Sequence, residues 1–190
     1  MFERRDEQLK VLYLFLSADG TKSSEEISMF GDICKKYGVE KDEKQDVIKF
    51  CNEKLNEYKS ESNPVMAAIT DVINTGHGIF TFMKGIKDSK GMQVSTLWNL
   101  MNLAYADKAF SEEEKNIINF LVKEWNISDK IFYHLSDSLE TLNALYNYKK
   151  WINETVSDKE KRDEYLTEVK KDIDNILKSV EETVEEINVM

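Results

Sequence analysis

Two short stretches hold the residues whose types and spacing could do chemistry. The first is Leu14-Phe15-Leu16-Ser17-Ala18-Asp19-Gly20-Thr21-Lys22-Ser23-Ser24-Glu25-Glu26, with Asp19, Glu25 and Glu26 around one turn. The second is Ala104-Tyr105-Ala106-Asp107, followed by Ser111-Glu112-Glu113-Glu114, with Asp107, Glu113 and Glu114 around another. Three carboxylates around a turn could hold a hard cation such as Ca²⁺ or Mg²⁺, because such ions take oxygen ligands. The same residues also suit plain helix capping. A Ser or Asp oxygen accepts free N–H groups at a helix start, and Glu in the first turn offsets the positive helix end. The spacing is not that of an EF-hand: Thr21, Ser23 and Ser24 occupy ligand and turn-glycine positions, and Phe30 stands where the bidentate Glu belongs. In the second turn Lys108 replaces Gly20, and an ammonium beside Asp107 would compete with a bound cation.

No other constellation reaches the specificity of a motif. His77 lies between Gly76 and Gly78 and His134 follows Phe132-Tyr133, so both read as structural. Neither has Glu three residues before it, which excludes the Glu-x-x-His pairs of a di-iron bundle. G-x-S-x-G, P-loop, dinucleotide and H-E-x-x-H patterns do not occur. Cys34 and Cys51 sit on apolar helical faces and read as buried free thiols. Trp98, Trp125 and Trp151 read as core. The reading is a protein that is not an enzyme, needs no catalytic cofactor, and takes at most a divalent cation.

The elements that must position the acidic turns are helices. One proline and seven glycines in 190 residues leave too little turn punctuation for a sandwich or barrel. Leu9, Leu12, Phe15 and Leu16 recur at helical spacing, predicting a helix to about Ala18. Ser23 or Ser24 caps the next, whose stripe is Met29, Phe30, Ile33, Cys34 and Tyr37. Gly38 stands where a left-handed residue closes a helix. A third helix starts near Asp42. Asn63-Pro64 opens the most apolar stretch, 64–86, which is one helix or two hinged at Gly76-His77-Gly78. A span needs about 20 predominantly apolar residues, and Asp71, Asn74, His77 and Lys84 argue against one here. Gly85 to Gly91 reads as a polar loop.

Shifting the chain by 88 positions superimposes the two acidic turns. Ala18-Asp19 falls on Ala106-Asp107, Ser23 on Ser111, Glu25-Glu26 on Glu113-Glu114, and Gly38-Val39 on Asn126-Ile127. Asn is the second choice for a left-handed cap. This predicts two repeats, about 9–60 and 97–151, bridged by 64–86 within a domain of residues 1–155. Beyond it, residues 156–190 form a long acidic helix. Its apolar residues Leu166, Val169, Ile173, Ile176, Val180, Val184 and Ile187 step by three and four. That stripe either packs on its own domain or forms a seam to a partner or a second copy.

Ala18-Asp19-Gly20 with Ser24-Glu25-Glu26, and Ala104-Tyr105-Ala106-Asp107 with Ser111-Glu112-Glu113-Glu114, resemble the signature of TerB-like domains. These are bacterial helical modules named for tellurite resistance. The resemblance covers Leu12–Val39 and, more fully, Leu97–Leu135. It implies an all-α, compact multi-helix bundle with an internal pseudo-repeat. It also implies a non-enzymatic interaction or sensor module in a stress-response or envelope-linked system, with metal or stress sensing in a membrane-associated assembly. On it, Asp19, Glu25 and Glu26 match in the first unit and Asp107, Glu113 and Glu114 in the second.

Formal net charge is −10, which disfavours nucleic acid and anionic membrane surfaces. It suits cations or basic proteins. Met1 to Lys10 lacks the apolar run of a signal peptide, giving a cytoplasmic expectation. The expected partner is a protein, or a second copy, at the C-terminal helix.

Overall fold

A computed structural model describes residues 3–75, 86, 89–106 and 110–189. Those residues form eight α-helices and no strand, so the chain is all-α. They divide into two compact units, one ending at Ile127 and one beginning at Ser128.

In the first unit α1 (Glu3–Phe15) is central and packs on α2 (Ser24–Lys36), α3 (Lys41–Glu57), α4 (Pro64–Thr75) and α5 (Lys90–Ala106). Its residues Leu9, Val11, Leu12, Leu14 and Phe15 are all buried. From Leu9 onward these apolar residues point to every side, and such a segment must be enclosed by other helices. The same holds for α5, where Val94, Leu97, Leu100, Met101, Leu103 and Ala104 are buried. By contrast α2 and α6 (Glu112–Glu124) bury one stripe each: Phe30, Ile33 and Cys34, and Ile117, Ile118 and Leu121. Full burial of each such side chain stabilises the unit by about 1.5–3 kcal/mol.

The 88-residue offset reappears as shared local geometry. Tyr37, Gly38 and Val39 donate their N–H groups to the carbonyls of Ile33, Lys35 and Cys34; Trp125, Asn126 and Ile127 donate to those of Leu121, Lys123 and Val122. Gly38 has φ +65° and Asn126 φ +48°, so each closes its helix in the left-handed region. Gln8 Nε2 donates to Thr96 Oγ1 at 2.9 Å, and these two residues are themselves 88 apart. An approximate two-fold relation between α1 and α5 would bring equivalent residues together in this way.

Several boundaries differ from the sequence reading. α1 ends at Phe15, three residues short of Ala18, and leaves through tight turns such as Ser17 N to Leu14 O. The apolar stretch 64–86 is helical as Pro64–Thr75. The Gly76-His77-Gly78 hinge lies outside the described residues. No described helix is long and apolar enough to cross a membrane. The expected loop 85–91 is shorter, since α5 starts at Lys90 and buries Gly91. Within it Ile86 is fully buried, and its N–H donates to the Glu7 carboxylate at 2.9 Å.

The second unit is α7 (Asp129–Thr155) and α8 (Lys159–Val189), packed on each other. Ser128 caps α7, and Asp158 accepts the N–H groups of Glu160 and Lys161 at the start of α8. The two compact units divide at Ile127/Ser128. Residues 128–155 group with α8, because Val169, Ile173 and Val180 of the C-terminal stripe are buried and α8 packs along α7. The stripe's Leu166, Ile176, Val184 and Ile187 are half-buried.

Candidate functional site

Both acidic turns end in the same local structure. Glu26 N donates to Ser23 Oγ at 3.1 Å, and Ser23 N donates back to Glu26 Oε2 at 2.7 Å. Glu114 N donates to Ser111 Oγ at 3.2 Å, and Ser111 N donates to Glu114 Oε2 at 2.7 Å. These are reciprocal capping boxes, each satisfying two backbone donors that the helix leaves free. Ser23, not Ser24, is the cap of α2.

The remaining residues of the first turn are tied up locally. Asp19 accepts Thr21 N at 2.9 Å and Thr21 Oγ1 at 3.0 Å, one on each carboxylate oxygen. Gly20 follows at φ +82°, a conformation that favours glycine. Thr21 carried no signal in the spacing of carboxylates, because its role is to satisfy one of them. Glu25 is exposed and accepts Ser24 Oγ at 2.8 Å, which holds its carboxyl below the usual range. Glu113 is exposed on α6. Asp107 and Lys108 lie outside the described residues.

The two capping boxes each place one glutamate in the interior, Glu26 and Glu114. Both carboxylates are buried, with 5% of each residue exposed. Burial pushes the Glu114 carboxyl above its ordinary value, and the nearby charges of Glu26 and Asp19 push it further. The cap hydrogen bonds from Ser111 act in the opposite direction and do not win. Charge felt between these groups means that Asp19, Glu26 and Glu114 share one neighbourhood, contributed by both halves of the first unit. Glu25 and Glu113 face solvent instead. Among the described residues, no group of three or more His, Cys, Asp or Glu side chains is arranged to hold a metal ion.

Beside the first turn, Ser24, Glu25, Ser28, Met29, Asp32 and Ala106 line an open groove of about 460 Å³. Met29 and Ala106 are its apolar lining, and Glu25 and Asp32 its carboxylates, that of Asp32 paired with Lys35 at 2.9 Å. A second cleft of about 520 Å³ is lined by residues of α4 and of the segment before it, among them Tyr58, Asn63, Met66 and Asp71. There Lys54 is 2.7 Å from the Asp71 carboxylate and 2.9 Å from that of Glu57, so the local charges are already paired.

Both thiols are buried and free. Burial pushes Cys51 up to about 12, and its Sγ donates to Lys10 O at 3.6 Å, so it is not a nucleophile. Of the tryptophans read as core, Trp125 is buried and Trp98 half-buried, but Trp151 is 52% exposed. It stacks on Tyr148 with ring centroids 5.7 Å apart, on the side of α7 away from its buried leucines.

A family model described as Tellurite resistance protein TerB matches residues 6–136. No curated protein matches the chain, and neither does any solved structure. The match covers well over half of the sequence and takes in both capping boxes with the buried Glu26 and Glu114: the chain belongs to the tellurite resistance protein TerB family.

Proposed function

We propose that this protein is a non-enzymatic interaction or sensor module of TerB type, working in a bacterial stress-response or envelope-linked system. One observation carries the reading. Glu26 and Glu114, 88 residues apart in sequence, are both buried in matching capping boxes at the N-termini of α2 and α6. That arrangement favours the approach of positive charge, and the net charge of −10 adds to it over a longer range. The neighbouring groove suits a basic side chain of a partner, with its methylenes on Met29 and Ala106 and its charge between Glu25 and Asp32. Backbone amide NMR during titration with a short Lys-rich peptide tests this. Saturable shifts at residues 19–32 and 111–114 are expected, weakened by Glu25→Gln with Asp32→Asn. No shift at millimolar peptide overturns it.

A divalent-cation sensor is the second reading, favoured by the same proximity of Asp19, Glu26 and Glu114. Binding to the folded state alone would raise the melting temperature. Millimolar Ca²⁺ or Mg²⁺ should therefore raise it, and Asp19→Asn should abolish the rise. An adaptor role through α8 draws on its half-exposed Leu166, Ile176, Val184 and Ile187. Val184→Lys would then release the partner or second copy without unfolding the helix.

A further inference from the structure

No further inference is drawn: the strongest candidate, the exposed aromatic face of α7 formed by Tyr133, Tyr148 and Trp151, carries nothing because nothing in the structure shows what covers it.

Discussion

The carboxylate of Glu26 acts on that of Glu114, and the two residues hold the same position in matching capping boxes. Each accepts a backbone N–H at the start of its helix while lying buried. This conflict has consequences for stability.

Glu114 should lower stability as pH rises. Its folded-state value is raised, chiefly by burial and then by Glu26 and Asp19. The folded state therefore holds the proton where the unfolded chain has released it. The contribution is fully present below the ordinary carboxylate value and is lost as pH rises through the raised one. Glu114→Gln keeps the cap geometry and cannot ionise. The melting temperature of the variant relative to the natural chain should climb between pH 4 and pH 7. NMR titration of Glu114 should also show its midpoint falling toward the ordinary value in Glu26→Gln. A midpoint indifferent to Glu26 would contradict the proximity described above.

Removing the capping hydroxyls should destabilise both turns, and the second more, since Ser111 Oγ also donates to Glu114 Oε2 at 2.8 Å. Ser23→Ala and Ser111→Ala each lose the acceptor of an N3 amide, for about 1 kcal/mol. For a protein of this size that is about 2–4 °C in melting temperature. A cost in Ser111→Ala no greater than in Ser23→Ala would show that this extra bond does not stabilise the fold.

Three positive-φ positions should respond by residue type. Gly20 sits at φ +82° with nothing within 4 Å of an added Cβ. Gly20→Ala should therefore cost about 1 kcal/mol through the backbone alone. Gly38→Asn should be tolerated within a few tenths of a kcal/mol, since Asn126 already serves at the equivalent place. Asn126→Gly should be neutral or stabilising. Denaturant melts measure all three, and a large loss in Asn126→Gly would show that its side chain, not its backbone, matters.

Cutting the chain after Thr155 should not leave α7 intact. The cut removes α8, and Val169, Ile173 and Val180 no longer cover α7. An isolated amphipathic helix is marginal in water. Circular dichroism should lose more helix than the 31 residues of α8, while hydrogen exchange in α1 to α6 stays protected. A loss confined to α8 would mean that α7 is held without it.

The local features were legible in the residues. Capping serines, first-turn glutamates and Gly38 or Asn126 act within four or five positions of themselves, so spacing alone places them. The apolar periods of α2, α6 and α8 were readable for the same reason. Thr21, which satisfies Asp19, was not, because a threonine beside a carboxylate bonds it only in the turn conformation the backbone takes up.

Sequence by itself determined that this chain is helical, where most helices start and stop, and that two acidic turns recur at an offset of 88. Tertiary structure alone decided that Glu26 and Glu114 are buried, that α7 belongs with α8, and that Trp151 faces outward. The physical reason is the reach of the forces. Capping and helical periodicity are set by neighbours along the chain, and these the order of residues records. Which apolar face is covered, and which carboxylates share a neighbourhood, depends on helices packed from distant segments. An apolar residue on a helix looks the same in sequence whether its face finds a partner or stays in water.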